Sequence, residues 1–202
     1  MSGKRLTREA RRERILAAAG EVFASAGYDA AGMREVAAAA GISTPVLYDH
    51  FPAKAQLYAA LLESEVDGLL AGWAALPVSA DPEVLLRSRV SAIFRWIEAH
   101  ERGWRMIFAE APSDPAVAAV HRDGQARATA NLASLFHGVP LDLTSGIPRP
   151  LADEVLAEAC KSALNSIATW WWRHRDIPRD EVVALTVDLL WRGLATLIKG
   201  ER

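Results

Sequence analysis

Residues 32–58 read GMREVAAAAGISTPVLYDHFPAKAQLY, and their spacing predicts two short helices joined by a tight turn. Ala37 is small enough for one helix to pack across the other. Gly41 can take the positive φ of such a turn. Ile42 and Leu47 plug the shared core, and Pro45 suits the first turn of the second helix. This is the grammar of a helix-turn-helix, whose second helix enters the major groove of duplex DNA. Ala40-Gly41-Ile42 alone carries little, because alanine-rich helical hairpins share it. The full string carries the reading.

Charge points the same way. The net charge is −2, yet up to Lys54 eight basic residues meet six acidic ones, and in the first fourteen residues six bases meet two acids. A basic arm on an otherwise acidic chain suits a local polyanion contact. The bland alternative is a solvated N-terminus.

The elements that must position this motif are helical throughout. Alanine and leucine recur at helical spacing and no β-branched alternation persists, so the fold class is all-α. About nine helices are expected, at 8–26, 33–40, 45–51, 53–75, 83–100, 103–111, 115–137, 151–174 and 179–199. Thr7 suits the first N-cap, and Gly27 ends that helix. Proline and glycine cluster at 77–82, 112–115 and 138–150. With 202 residues, 51% of them hydrophobic and 24% charged, the chain is a folded globular protein. Charge-free runs such as 128–141 fall short of the ~20 residues of a membrane span. No charged-then-apolar leader opens the chain, and a cytoplasmic protein with no membrane partner is expected. One cysteine, Cys160, excludes an internal disulfide and a cysteine-based zinc cluster. Neither a metal spacing nor a nucleophile–base arrangement nor a phosphate loop is present, so no cofactor, no metal and no enzyme is expected. An all-α small-molecule-binding protein or enzyme without a DNA role is the competing reading, and it leaves the basic helix-turn-helix unexplained.

The region closely resembles the DNA-binding part of TetR-family transcriptional regulators. That family shows Gly-Tyr after its first helix, then Ala-Gly-Val-Ser, then Leu-Tyr-x-His-Phe-x-x-Lys-x-x-Leu. Here these stand as Gly27-Tyr28, Ala40-Gly41-Ile42-Ser43, and Leu47 to Leu57 with Tyr48, His50, Phe51 and Lys54 in place. The resemblance is tight over about residues 8–58 and only architectural beyond. It implies a helix-turn-helix domain over 1–54 and a ligand-binding, dimerising domain over 55–202. It further implies a ligand-responsive regulator, a repressor by expectation, binding double-stranded DNA as a homodimer. Tyr48, His50 and Lys54 match positions that hold the DNA backbone, and Phe51 matches a core position. Ser43 and Thr44 stand where hydroxyls and amides meet phosphate or a base edge. Pro45, Val46 and Asp49 then face the groove, Val46 suited to a thymine methyl and Asp49 to a cytosine amino group or to positioning Arg34 or Lys54. Gly32 replaces a threonine common in the family, and Arg34 stands one turn in as its substitute.

Two further groups follow from residue type. An apolar effector pocket is expected around Trp73, Phe94, Trp104 and Phe108, with His121, Asn131 and Asn165 as its few polar groups. Core packing and internal hydrogen bonds are the competing account of each. For the homodimer, Val183, Val187, Leu190, Leu194 and Leu197 are spaced as a helix-packing seam, and Leu156, Cys160, Ala163, Ile167 and Trp170 repeat it on the preceding helix. Val182, Leu185 and Leu189 form a second stripe on the last helix.

Overall fold

The computed structural model describes residues 7–108 and 114–194. Among them are nine α-helices: α1 (Arg8–Ala30), α2 (Met33–Ala39), α3 (Thr44–His50), α4 (Lys54–Ala74), α5 (Pro82–Ala99), α6 (Glu101–Phe108), α7 (Pro115–His137), α8 (Arg149–Trp172) and α9 (Arg179–Leu194). The described residues hold no strand, so the all-α expectation is met. No helix there is long and apolar enough to cross a membrane.

The chain divides into two compact units, Met1–Val66 with Arg102–Gly124 and Asp67–Glu101 with Gln125–Arg202. In the first unit α1 starts on Thr7, whose Oγ1 accepts from the Ala10 N–H at 3.1 Å. Every fourth residue, Ile15, Ala19 and Phe23, is buried. They join Met33, Val36 and Ala37 of α2, Leu47 of α3, and Leu57, Leu61 and Leu62 of α4. Gly27 interrupts α1 as expected, though with φ 75° and ψ 167°, and one more helical turn follows to Ala30. That extended backbone with positive φ is open essentially to glycine alone.

The second unit packs α5 and α8 against α9. Val90, Phe94 and Ile97 of α5 meet Ala157, Leu164, Ala168 and Trp171 of α8 and Val182, Val183, Thr186 and Val187 of α9 in its core. Three adjacent tryptophans cannot share one face. Trp171 is buried edge-on to Phe94, its Nε1–H donating to the Ile177 carbonyl at 2.9 Å. Trp170 is exposed and stacks on His174, and Trp172 is half-buried. At the start of α8, Arg149 donates to the buried Asp153 carboxylate and to the Phe136 and Val139 carbonyls. These bonds fix the loop 138–148 to the end of α7.

Candidate nucleic-acid interface

The turn between α2 and α3 is held by two backbone bonds, Gly41 N–H to Ala38 O and Ile42 N–H to Ala37 O, each 3.0 Å. Gly41 sits at φ 63°, and a Cβ there would stand 2.5 Å from Arg14 Nη2. The positive φ calls for glycine, so the second glycine of the string does what its place predicted, while the Arg14 guanidinium could swing aside. Gly32 has no side chain to cap α2, and Glu35 covers the gap by accepting from the Gly32 N–H at 3.0 Å.

With Leu47 wholly buried, α3 is pinned by one side and turns the other to solvent. Ser43, Pro45, Tyr48 and Asp49 are exposed; Thr44, Val46 and His50 are half-buried. Arg34 of α2 is exposed and has no ion pair among the described residues. Ser43, Thr44, Tyr48 and Asp49 likewise make no side-chain hydrogen bond there. The structure therefore gathers a face of side chains with idle donors around one short helix, with Asp49 the one carboxylate among them.

His50 is joined by residues that the sequence marked only as a charged arm. Arg8, Arg11 and Arg12 of α1 bear electrostatically on its ring, and Arg12 lies over Phe51 at 5.3 Å from the ring centre. Burial first, then Arg8 and Arg11, hold the His50 pKa below the usual histidine value, with Asp49 opposing. Clustered cations beside the end of α3 extend the candidate interface beyond the helix-turn-helix string. The signal for them was present in the six bases among the first fourteen residues.

Lys54 stands apart from this face. Its ammonium donates to the carbonyls of Tyr28, Asp29 and Ala31 at 2.8, 3.1 and 3.2 Å and lies 4.6 Å from the centre of the Tyr28 ring. An ammonium has three donors, and all three are taken. The expected backbone contact to DNA has no free N–H behind it, because the end of α1 uses them all. Tyr28 is held in turn by Phe23 and Tyr58 and donates to Asp114 Oδ2 at 2.9 Å. Desolvation, with the Asp114 hydrogen bond second, pushes the phenol pKa up to about 12. The Gly27-Tyr28 pair is thus a structural lock, a role its sequence position did not announce.

The expected effector residues are divided between the two units. The second unit holds a cavity, partly open to solvent, lined by residues of α4, α5, α7, α8 and α9. Of the seven residues expected in a pocket, Trp73 lines it. Phe94 is wholly buried in the core beside Trp171, and Asn131 and Asn165 are half-buried outside the lining. Trp104, Phe108 and His121 belong to the first unit. The wall of this cavity is mostly aliphatic, with Leu85, Leu86, Leu132, Leu135 and Leu164 among its members beside Trp73, Phe136 and Trp191. Residue types alone do not separate such a wall from ordinary core.

The expected dimer seam is also placed differently. Val183, Val187 and Cys160 are buried within the chain's own unit, and Cys160 and Leu190 line the cavity. Leu156, Ala163 and Ile167 are half-buried. The side chain of Leu194, and Leu197 altogether, lie outside the described residues. Trp170 of the expected seam is exposed, at 42%, and so are Val155 on α8, at 58%, and Leu185 and Leu189 on α9, at 69% and 61%. Of the seam read from sequence, Val183, Val187 and Cys160 are buried and Trp170 is exposed; of its companion stripe, Leu185 and Leu189 face out and Val182 is buried.

Comparison with known proteins agrees with this geometry. The sequence profile of bacterial regulatory proteins, tetR family, matches residues 15–61. The chain is 37% identical over 195 residues to the HTH-type transcriptional activator FasR of Mycolicibacterium smegmatis, covering 96% of this chain and 87% of that protein. A TetR-like transcriptional regulator from Rhodococcus sp. RHA1 superposes with a TM-score of 0.71 at 27% identity, over 95% of this chain and 99% of that one. AibR in complex with isovaleryl coenzyme A and operator DNA shares the fold, with a TM-score of 0.69 at 19% identity over 89% and 97% of the two chains. FasR is named an activator, which runs against the repressor expected from sequence.

Proposed function

We propose that this chain, which belongs to the tetR family of bacterial regulatory proteins and is a DNA-binding transcriptional regulator, recognises an inverted-repeat operator as a homodimer under the control of a small, mostly apolar effector. The observation that carries the reading is the face of idle donors on α3. Thr44 and Tyr48 of α3, with Ser43 at its N-cap and Arg34 on α2, are presented beside a helix whose other side is locked into a core, near the cations Arg8, Arg11 and Arg12. Phosphate contacts through hydroxyls and guanidinium groups fix register, and the start of α3 reads base edges. Pro45, Val46 and Asp49 are its groove-facing residues. His50 and the arginines beside it take the backbone.

One seven-residue helix touches few base pairs, so a two-fold pair reading two half-sites supplies the specificity. The cavity of the second unit is the effector site in this reading. AibR, crystallised with both an acyl coenzyme A and operator DNA, supports a fold that takes a small molecule and DNA together. The effector acts only if it binds the DNA-competent and DNA-incompetent states with different affinity.

Selection of binding sites from a random duplex pool tests this directly. Selected sequences should share an inverted repeat, and Thr44→Ala and Val46→Ala should each change the preferred bases within a half-site. A selected set without two-fold symmetry, or base preferences untouched by both substitutions, overturns the reading.

A further inference from the structure

Arg89 of α5 is 6% exposed. Among the described residues it meets no carboxylate. Nη1 donates to the Trp73 carbonyl at 2.6 Å, and Nη2 to those of Leu76 and Pro77 at 3.4 Å each. Its Nε–H is buried with no partner, and so is the indole Nε1–H of Trp73, the ring over which the guanidinium lies at 5.4 Å. Arginine is almost never buried to this extent without a counter-charge. A guanidinium does not escape the cost by losing its proton, since it stays charged in proteins.

Capping the end of α4 is the bland account of Arg89, and it covers the Nη groups alone. It leaves the full charge uncompensated and both of these other donors idle. Buried unpaired donors are costly and rare in native structures. The two idle donors belong to residues that line one cavity, the effector cavity of the second unit. No residue of its lining carries a carboxylate, a hydroxyl or an amide side chain. Arg89 also lines the adjoining cavity beside residues 78–80, so it stands where the two cavities share a wall. Arg89 and Trp73 thus stand in the wall of an otherwise hydrocarbon cavity, their idle N–H groups buried beneath its surface, with no carboxylate, hydroxyl or amide side chain beside them.

We infer that the effector is an organic monocarboxylate with a hydrocarbon body, its carboxylate held by Arg89 and Trp73 and its body lying among Leu86, Leu135 and Leu164. A carboxylate supplies the missing counter-charge and accepts from Nε–H and from the indole N–H. Charge-assisted bonds of this kind are about twice as strong as neutral ones. An alcohol or ester of the same length fills the same wall and leaves the charge unanswered. The inference rests on the cavity being the effector site, and its test separates the two.

Calorimetric titration of the full chain with decanoate, decan-1-ol and methyl decanoate tests it. Wild type should bind decanoate at least about ten-fold more tightly than the other two, the value of one charge-assisted bond in a buried site. Arg89→Gln should remove that preference, weakening decanoate far more than decan-1-ol. Should Arg89→Gln fail to fold, Trp73→Phe keeps the ring, deletes one donor and should narrow the preference. Leu164→Trp, which fills the cavity, should abolish binding of all three. Equal wild-type affinities for the three compounds overturn the carboxylate anchor while leaving the cavity as the effector site. Binding that survives Leu164→Trp, or no binding of any probe, overturns the cavity itself.

Discussion

Lys54 has three N–H donors and three carbonyls within reach, and its place in the motif says nothing of that partnership. The sequence placed it on a phosphate by resemblance; the structure gives it the end of α1. Lys54→Met should therefore lower thermal stability, by about 1–2 kcal/mol for carbonyls returned to water, and leave the salt dependence of DNA binding unchanged. A phosphate contact would instead show as a slope reduced by about one unit with stability intact. His50 makes a different prediction. Burial and the neighbouring arginines keep its ring neutral in the free protein, with its pKa below the usual histidine value. A phosphate beside it, and one drawing off Arg8 and Arg11, raises that pKa, so binding takes up a proton. DNA affinity should then rise as pH falls through the pKa of the complex and level off below that of the free protein. His50→Gln should flatten this part of the profile, measured by fluorescence anisotropy between pH 8 and 5.5. An unchanged profile would remove His50 from the interface. The free protein moves the other way: its stability from this group is present above the usual histidine pKa and lost as pH falls below it.

At the scale of the element, the α2–turn–α3 unit was legible because each of its positions is constrained in kind. A small residue at Ala37, a positive φ at Gly41 and a buried plug at Leu47 are all demands that few residue types meet, and the structure meets each one there. Gly41→Ala should cost about 1–2 kcal/mol for a left-handed L-residue, and Arg14 must also move aside. Because the turn sets the angle of α3, operator affinity should fall further than the stability loss alone explains. Gly27→Ala is the control. Nothing lies within 4 Å of its new methyl, yet the backbone is strained, so it should lower the melting temperature with a smaller effect on DNA binding. Equal losses of affinity from both variants would mean that general stability, and not the geometry of the turn, governs recognition. The cavity was illegible for the opposite reason. Its wall uses leucine and valine as the core does, and vacancy is a matter of volume that residue types do not encode. Polar residues on an apolar helix line, His121 and Asn131, seemed the better signal, yet they lie outside that wall.

At the scale of the whole molecule, a helical period gives the spacing of an apolar stripe but not its direction. The last helix carries two such stripes, and the sequence favoured the longer, Val183–Val187–Leu190, as the face toward a second copy. The chain spends that stripe on its own core, where Val187 is wholly buried and Leu190 lines the cavity. Leu185 and Leu189 are left exposed on α9, one turn apart. On α8 the exposed residues Leu151, Val155, Ala159, Ser162 and Ser166 recur at intervals of four, four, three and four. Alanine and serine in the middle of that line let a second helix approach closely, while Leu151 and Val155 supply apolar area at one end. In the homodimer proposed above, these two faces would form a symmetric bundle with the same helices of another copy, removing Leu185 and Leu189 from water. Large hydrophobics exposed at 61–69% are otherwise a liability on one helix. Two substitutions then separate the two stripes. Leu189→Arg should give a helical protein that sediments as a monomer at micromolar concentration and loses binding to a two-half-site operator. Leu190→Arg should leave the sedimentation coefficient that of a dimer and lower stability by several kcal/mol, because it forces a charge into an apolar cavity wall. If Leu190→Arg yields folded monomers and Leu189→Arg does not, the first stripe is the interface after all. A wild type that sediments as a monomer and binds a single half-site tightly would remove the dimer altogether.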